Sequence, residues 1–291
     1  MITEPGLYAD VPESVYHRDP VEGGSLSSTG ARRILDTCPA KFRWEQDNGS
    51  VSTPAMEFGT AAHTIVLGTG KPIHVMSEGN QDFRKTDAQI ERDEAMAGGY
   101  IVLKQAEYDR VMGMADALRR HPLAGSLFTR QLHEGGRLID SGGMAEVTGV
   151  WQDDVTGAWC RLRLDWLRPP TDGPFLLPDY KTTTDASLSA VEKTIAKYGY
   201  HRQGEFYERG VRALLPGEKP QAVFVFQETT APYLVTVVGV SAEMRRAATR
   251  MNRRAINLYA ECVRSGEWPD YNNGSIYTAE MPVWLAKIEG E

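Results

Sequence analysis

Two carboxylates and a lysine at short spacing are the residues of this chain best suited to hydrolytic chemistry. Asp165 lies in one candidate strand, and the segment Asp179-Tyr180-Lys181 lies in the next. Because side chains alternate along a strand, Asp179 and Lys181 share one face and Tyr180 points away from it. Two adjacent strands would therefore bring both aspartates and the lysine to one point.

This trio suits the hydrolysis of a phosphodiester bond. Carboxylate oxygens are hard ligands of the kind that Mg²⁺ prefers, and such an ion polarises the phosphate and lowers the pKa of a water molecule. Lys181 could position the water or stabilise negative charge in the transition state, and the backbone carbonyl of Tyr180 could add a metal ligand. The alternative is a surface Asp-Lys pair with Asp165 at a strand end, because the spacing Asp-x-Lys often arises by chance.

The elements that must position the trio follow an α/β pattern. Strands are predicted at 147–151, 159–167, 175–181, 221–227 and 233–240, with a hairpin turn at Asp153-Asp154 and Gly157. Helices are predicted at 31–37, 56–67, 108–118, 188–198, 201–214 and 242–264, whereas residues 77–99 are polar and weakly patterned, which indicates a mobile loop or a frayed helix. This order predicts a mixed α/β fold with a central mixed sheet flanked by helices.

Composition and charge exclude several classes of protein. Hydrophobic residues make up 41% and charged residues 24% of the 291 residues, as in most globular proteins. No apolar run approaches the roughly 18 residues that span a bilayer, and the N-terminus lacks the pattern of a secretory signal, so a cytoplasmic location is expected. The net charge of −7 argues against a protein that coats nucleic acid, but not against an enzyme with a confined DNA channel.

The cysteines give no sign of a metal or disulfide framework. Cys38, Cys160 and Cys262 are far apart, and no CxxC pair is present. This spacing argues against a zinc knuckle and against a four-cysteine iron–sulfur cluster. We therefore expect three buried thiols.

Several segments, in matching order from about residue 7 to residue 270, resemble the RecE (exodeoxyribonuclease VIII) family of the PD-(D/E)xK nuclease superfamily. They are LSSTG at 26–30, CPAKF at 38–42, MEFGTAAH at 56–63, the strand at 160–166, DYKTT at 179–183 and GYHRQ followed by FY at 199–207, with weaker agreement at 231–233 and 266–268. The resemblance implies a single domain over residues 1–291 with a restriction-endonuclease-like core. Its parts are a lead-in and helix (1–55), a helical part (56–140), a catalytic sheet core (141–240) and a C-terminal helix and tail (241–291).

The resemblance also implies roles for individual residues. The metal ligands are His63, Asp165 and Asp179, beside the Tyr180 carbonyl suggested by the strand pattern; the catalytic lysine is Lys181; Gln203 and Tyr207 contact DNA or orient the lysine and the water. Mg²⁺ is the expected cofactor, and because imidazole is a softer ligand than carboxylate, Mn²⁺ is expected to substitute for it. Ordinary packing is the alternative for a helical histidine and for a Gln/Tyr pair on one helix face.

Further residues are candidates for the site or for DNA contact. Glu146, at the start of the first catalytic strand, either approaches the metal or is a plain strand-end acid. Related exonucleases hold a 5′ phosphate at the N-terminal helix and turn, where Arg32, Arg33, Lys41 and Arg43 either grip phosphates or form a solvated or intersubunit face. DNA contacts are predicted at Ser28, Arg32, Arg33, Lys41 and Arg163. A second basic group lies on one side of the last long helix, where it either grips phosphates or forms a solvated or intersubunit face: Arg246, Arg250, Arg253 and Arg254.

The expected function is that of a Mg²⁺-dependent exodeoxyribonuclease that degrades linear double-stranded DNA in the 5′-to-3′ direction and leaves 3′ single-stranded overhangs for phage-type recombination. The implied partners are DNA ends, further copies of the chain in a homo-oligomeric ring and a single-strand annealing protein, with no membrane. One alternative is a single-strand- or structure-specific nuclease of the same fold. The other is a non-catalytic DNA-end binding protein, which would usually have lost at least one of the four matched site residues.

Overall fold

The computed structural model describes residues 1–49, 54–129, 131–134, 137–140, 142–170 and 173–289. Its strands are β1 (Gly6–Tyr8), β2 (Leu26–Ser27), β3 (Ile73–Val75), β4 (Ile101–Leu103), β5 (Gln131–Glu134), β6 (Arg137–Asp140), β7 (Met144–Gln152), β8 (Trp159–Leu167), β9 (Leu176–Thr183), β10 (Gln221–Glu228) and β11 (Val235–Gly239). Its helices are α1 (Glu13–His17), α2 (Ser28–Asp36), α3 (Pro39–Asn48), α4 (Pro54–Leu67), α5 (Thr86–Ala97), α6 (Gln105–Arg120), α7 (Ala124–Leu127), α8 (Leu188–Tyr198), α9 (Tyr200–Leu214), α10 (Ala242–Ser265) and α11 (Val283–Glu289).

Two mixed sheets meet between β8 and β9. The first has the strand order β1-β7-β8-β2 and the second the order β11-β10-β9. In the first sheet β7 and β8 are antiparallel and β2 is parallel to β8, whereas in the second β9 and β10 are parallel and β11 is antiparallel. No backbone ladder joins β8 to β9 in the described part of the chain; instead the Tyr180 amide donates a hydrogen bond of 2.7 Å to Oδ2 of Asp165.

Helices cover both faces of these sheets. Helix α9 contacts β7, β8 and β10 on one face, while α4 contacts β9 and α6 contacts β10 on the other. Alternation along β10 shows the two faces directly, because Phe224 and Phe226 pack against Val191 and Ile195 of α8, whereas Val225 joins the apolar cluster of α4 and α6. The sheets are therefore held between two apolar layers.

A turn stabilised by side chains closes the β7–β8 hairpin. Oδ2 of Asp153 accepts hydrogen bonds from the amide and the hydroxyl of Thr156, at 3.0 and 2.9 Å. Gly157 adopts a left-handed φ of 71°, which glycine reaches without steric cost. The hairpin predicted at this position is confirmed, and its geometry fixes the register that carries Asp165 opposite Glu146.

The mixed α/β fold is confirmed, with three differences in detail. The expected central sheet is divided into two sheets at the β8–β9 junction. The polar stretch 77–99 contains helix α5, and α3 follows directly on α2 with Pro39 in its first turn. Of the two alternatives for residues 77–99, a mobile loop or a frayed helix, the structure has a helix, whereas α3 was missed. Neither helix has a strong apolar stripe; Pro39 suits a first helical turn, where its missing N–H is no loss.

Two further predictions concern the thiols and the membrane. All three cysteines are free and buried, as expected. Within the described residues, no helix has the length and apolar character needed to cross a membrane. The division of residues 1–291 into one domain with four parts stays a prediction.

Gly210 offers a test of the packing between α9 and the hairpin. A Cβ at this position would lie 2.6 Å from the Trp151 ring and 2.6 Å from Leu162. We expect Gly210→Ala to lower the free energy of unfolding, because overpacking costs about 1–3 kcal/mol and a rigid ring cannot yield, while the helix-propensity gain is at most about 1 kcal/mol. Urea titration measures the change; Gly239→Ala, where a Cβ meets no atom within 4 Å, is the control. Equal stability of Gly210→Ala and the parent would contradict the packing described.

Candidate active site

Strand β9 presents its three site residues in alternation. Asp179 and Lys181 face one side, and the Tyr180 ring is buried on the other. The Tyr180 hydroxyl donates to Oε1 of Gln227 at 2.7 Å, and the Gln227 amide donates to the carbonyl oxygen of Met114 at 2.8 Å. Tyr180 is thus anchored to β10 and α6 behind the site, which fixes the orientation of its two neighbours.

His63 and two carboxylates of the hairpin converge at the β8–β9 junction. Nε2 of His63 lies 3.1 Å from Oδ2 of Asp165 and 3.2 Å from the carbonyl oxygen of Tyr180, and Nδ1 lies 3.6 Å from Oε1 of Glu146. One ligand atom from each of His63, Glu146 and Asp165 lies within 4.8 Å of the other two. This grouping of an imidazole, two carboxylates and a carbonyl oxygen is compact enough to surround a single ion.

Glu146 reaches this cluster through an unusual backbone conformation. Its φ is 57°, the left-handed region that non-glycine residues rarely adopt. The β7–β8 ladder pairs Ala145 with Trp166 and Val147 with Leu164, but it passes over Glu146 and Asp165 between them. Strained backbone of this kind persists where the surroundings hold it and is frequent at functional sites. The Arg163 guanidinium, which donates to Oε2 of Glu146, is one such restraint.

Asp179 and Lys181 form a second group beside the first. The Lys181 ammonium lies 2.5 Å from Oδ1 of Asp179 and 4.9 Å from the centre of the Tyr200 ring. The Gln203 amide donates to Oδ2 of Asp179 at 2.6 Å and lies 3.1 Å from the hydroxyl of Tyr207. The pair on α9 therefore orients the second aspartate, and through it the lysine.

The charges of the site are strongly coupled. Burial disfavours a charged His63, but the charge of Asp165 and the hydrogen bonds that the imidazole donates to Asp165 and Glu146 raise the pKa of His63 to about 10. Burial also opposes ionisation of Asp165, yet His63, Lys181 and the Tyr180 amide hold the pKa of Asp165 below its usual value. Positive charge on the imidazole thus balances the carboxylates.

The second pair responds differently. Burial raises the pKa of Asp179 to about 6, with Lys181 opposing the rise and Asp165 adding to it. Burial acts against the charged form of Lys181, but Asp179 and Asp165 hold the pKa of Lys181 above its usual value. At neutral pH the lysine is therefore charged.

The donor set fits a hard divalent cation. The cluster of His63, Glu146, Asp165 and the Tyr180 carbonyl offers mainly oxygen ligands, as Mg²⁺ and Mn²⁺ require. In addition, Oδ1 of Asp179 is buried and accepts no well-oriented hydrogen bond from a described residue, although Lys181 lies beside it. Buried carboxylates with incomplete hydrogen bonding are stabilised by a cation.

A cleft connects this site to the start of α2. Its lining residues are Ser28, Thr29, Arg32, Lys181, Tyr198, Gly199, Tyr200 and Gln203. Ser27 caps α2 by accepting a hydrogen bond of 3.0 Å from the amide of Gly30, so the positive end of the helix dipole lies at the cleft. Gly199 has a φ of 71°, and a Cβ there would lie 2.9 Å from Cδ of Arg32. A side chain at position 199 would therefore displace Arg32 from its position in the cleft.

The structure brings together only part of the predicted DNA contacts. Ser28 and Arg32 line the cleft with Lys181. Arg33 forms an ion pair with Glu45, and Lys41 is exposed on α3. Arg163 is half-buried and donates to Glu146 and, at 2.9 Å, to the carbonyl oxygen of Val11, which gives it a supporting position behind the cluster.

The arginines of α10 divide into two sets. Arg253 pairs with Asp153 at 2.7 Å, Arg264 pairs with Glu261 at 2.7 Å, and Arg245 lies 3.5 Å from Glu208. Three others are exposed and have no ion pair with any described residue: Arg246, Arg250 and Arg254. They follow each other at four-residue intervals and so form a single stripe.

Sequence reasoning left several contacts unassigned. Glu146 was placed only as an alternative ligand, and its left-handed conformation has no local signal. Gln227, Thr29 and the two tyrosines of the cleft, Tyr198 and Tyr200, were not assigned to the site. Parity along β10 would have placed Gln227 on the same face as Val225, but its pairing with Tyr180 depends on the parallel register of β9 and β10.

A family model matches most of the chain. It is described as "PDDEXK-like domain of unknown function (DUF3799)", and it matches residues 27–280. The chain belongs to this family. The match supports the PD-(D/E)xK superfamily predicted from the motifs, whose nucleases usually use divalent metal ions. Membership of the RecE family within it stays a prediction.

A solved structure shares the fold of this family member. The crystal structure of a candidate exonuclease from Eubacterium rectale aligns with 97% of this chain and 98% of its own, with a TM-score of 0.60 and 13% identity. A second structure, of SSO0001, aligns with 70% of this chain and 85% of its own at 13% identity, but its TM-score of 0.29 is too low to indicate a shared fold. No curated protein matches the chain. Family and fold together support a nuclease, a hydrolase of phosphodiester bonds.

Substitutions at Asp165 separate metal binding from strand connection. Asp165→Asn retains an oxygen that can accept the Tyr180 amide but removes the charge, whereas Asp165→Ala removes both. We expect both variants to weaken Mn²⁺ binding at least tenfold, as measured by calorimetry. Loss of a group that only hydrogen-bonds to a metal ligand already lowers metal affinity by about 10–100-fold. Only Asp165→Ala should also lose about 1–3 kcal/mol of unfolding free energy, since it leaves a buried amide without its partner. Undiminished Mn²⁺ affinity in Asp165→Asn would remove Asp165 from the ligand set.

The raised pKa of His63 predicts proton release on metal binding. The imidazole is protonated below pH of about 10, and a ring nitrogen must lose its proton to bind an ion. We therefore expect Mn²⁺ affinity to rise between pH 6 and 8, by up to about tenfold per pH unit for one proton. Calorimetry in buffers of different ionisation enthalpy measures the protons released. His63→Ala is the control; at pH 8, where Asp179 is already ionised, the proton release should be lower in this variant than in the parent, and equal release in both proteins would contradict ligation by His63.

Proposed function

We propose that this protein is a Mg²⁺-dependent exodeoxyribonuclease that degrades one strand of linear double-stranded DNA from its 5′ end and leaves a 3′ single-stranded overhang. The observation that carries the proposal is the cleft that joins Lys181 to Ser28, Thr29 and Arg32. Hydroxyls, a guanidinium and a helix N-terminus are groups that bind a phosphate. An enzyme that acts on strand ends must hold the terminal phosphate close to the catalytic lysine, and these groups share one cleft with Lys181.

Each residue of the site has a role in this proposal. His63, Glu146, Asp165 and the Tyr180 carbonyl would hold the Mg²⁺ ion, with Asp179 as a further carboxylate, and Mn²⁺ would substitute for Mg²⁺. Such an ion, when bound, supplies polarisation of the scissile phosphate and a lowered pKa of the water molecule. Arg163 keeps Glu146 in its left-handed conformation, so it supports the ligand set from behind.

Lys181 acts on the phosphate directly. Its ammonium is charged at neutral pH and stabilises the negative charge that grows as the water oxygen attacks phosphorus and the P–O ester bond breaks. Asp179 and Tyr200 restrict the position of the ammonium, and Gln203, placed by Tyr207, restricts Asp179. The i, i+4 pair of α9 is therefore a positioning device for the lysine.

The partners are part of the proposal. DNA ends are the substrate, further copies of the chain would form a ring, and a single-strand annealing protein would take up the overhang. Support for DNA is the chemistry of the cleft; the ring and the annealing protein rest on the resemblance described for the motifs and stay predictions. The proposed place of action is the cytoplasm.

The catalytic assignment predicts loss of cleavage in two variants. Lys181→Ala and Asp179→Ala should each lower the rate on linear duplex DNA with Mg²⁺ by more than roughly 100-fold, since each removes a group that stabilises or positions charge in the transition state. Circular dichroism should show that both variants keep the fold. Lys219→Ala, an exposed lysine outside the cleft, is the control and should cleave normally. Cleavage by either site variant at the parent rate would contradict the assignment.

The choice of substrate separates the proposal from other nucleases of this fold. Linear duplex DNA with 5′ phosphates is incubated with Mg²⁺ or EDTA beside a covalently closed circle. Loss of the linear DNA alone, and with Mg²⁺ alone, is the expected result. Cleavage of the circle would indicate an endonuclease, and cleavage of neither would favour a single-strand-specific enzyme or a DNA-end binding protein.

A further inference from the structure

A row of stacked aromatic rings leads from the core to the cleft. The Phe224 ring is fully buried, and Tyr200 stacks on it with ring centres 5.7 Å apart and an interplanar angle of 26°. Tyr198 stacks on Tyr200 at 5.9 Å and 28°. Tyr198, at the outer end of the row, is 48% exposed. The row therefore holds a tyrosine ring rigidly at the mouth of the cleft.

Packing of α8 does not account for the position of Tyr198. The buried residues of this helix are Val191 and Ile195, at 1% and 4% exposure. Tyr198 continues their spacing, which predicts a third buried position. Instead it leaves the core and lines the cleft together with Lys181 and Arg32. An exposed aromatic ring beside phosphate-binding groups is the arrangement used to bind a nucleotide base.

We propose that Tyr198 forms a nucleobase-binding subsite, on which a base of the DNA strand being cleaved stacks while its phosphates lie toward Lys181 and Arg32. The subsite rests on the proposed function, because it names how that site holds its substrate. Stacking uses the face that every base presents, so the subsite accepts all four bases. Beyond the terminal pair, whose outer face is open, it selects for bases that have left the duplex stack.

Lys197 fits this arrangement. Its ammonium lies 5.2 Å from the centre of the Tyr198 ring, and its side chain is exposed. A long exposed lysine can move from the ring to a phosphate of the same strand when a base takes its place. The cation that covers the ring in the free protein thus becomes a phosphate contact in the complex.

The subsite has a consequence for the state of the DNA. The outer face of a terminal base pair is open and could stack on Tyr198 as it is, but an interior base must leave the duplex stack before the ring can reach its face, so the duplex must open as further nucleotides enter the cleft. Opening costs least for mismatched or frayed ends. DNA with unpaired nucleotides at the 5′ end should therefore bind more tightly than a fully paired end.

Binding measurements can isolate the contact between ring and base. Lys181→Met, which prevents cleavage, is combined with Tyr198→Ala or Tyr198→Phe, and fluorescence anisotropy gives the Kd for linear DNA with Mg²⁺. The DNA carries either normal nucleotides or an abasic residue at the first, second or third position from the 5′ end. We expect Tyr198→Ala to raise the Kd for normal DNA roughly tenfold and Tyr198→Phe to bind like the parent. With the abasic residue at one of the three positions, Tyr198→Ala and the protein that retains Tyr198 should have the same Kd.

Photocrosslinking is a second measurement, and it reports direct contact between the base and Tyr198 rather than an effect of Tyr198 on the fold. DNA with 5-iodouracil at the same position should crosslink to Tyr198 under long-wavelength light, and the link should disappear in Tyr198→Ala. Tyr277→Ala, which removes a tyrosine more exposed than Tyr198 (74% against 48%), is the control and should change neither measurement. Equal weakening of normal and abasic DNA, or crosslinking elsewhere, would overturn the subsite. If the parent protein cleaves no DNA, the proposed function fails; if it cleaves and the coupling is absent, only the subsite fails.

Discussion

The carboxylate of Asp165 is the group on which the rest of the site depends. One of its oxygens accepts the Tyr180 amide at 2.7 Å and lies 3.1 Å from His63, so a single atom links β8, β9 and α4. In a continuous sheet a backbone carbonyl of the neighbouring strand would accept the Tyr180 amide, whereas here the charged side chain of Asp165 accepts it. The junction between the two sheets is thereby made from the same atoms that would hold a metal ion, and strand position and ligand position cannot vary independently.

Local patterns predicted the parts of the site that lie within single elements. Alternation placed Asp179 and Lys181 on one face of β9, helical spacing placed Gln203 beside Tyr207, and turn chemistry located the hairpin that carries Asp165. These features depend on neighbours within a few residues, and periodicity reports them well. The boundaries of β8 agree with the structure at both ends.

What the sequence could not predict depends on contacts between distant segments. Glu146 enters the cluster because its backbone is left-handed, a conformation that tertiary contacts with Arg163 and His63 maintain against local preference. The split into two sheets follows from the side-chain link at Asp165, which resembles any other strand residue in a one-dimensional pattern. Helix α5 is polar on most of its surface, so its apolar periodicity was too weak to decide between a mobile loop and a helix. Tyr198 has the spacing of a buried residue of α8 but is exposed, because its ring stacks on Tyr200, and Tyr200 lies between it and the buried Phe224.

The stripe of unpaired arginines on α10 gives this acidic protein an uneven electric field. Arg246, Arg250 and Arg254 are spaced about 6 Å apart along the helix axis, and Met251 between them shares a depression with Arg32, next to the cleft. The rest of the surface carries the excess of acids that makes the net charge −7. A polyanion would be repelled from most approaches and attracted along one of them, within a screening distance of about 8 Å at physiological salt. Encounters would thus be steered in orientation before any contact forms, and both the rate of association and the affinity for the polyanion would fall as the ionic strength rises.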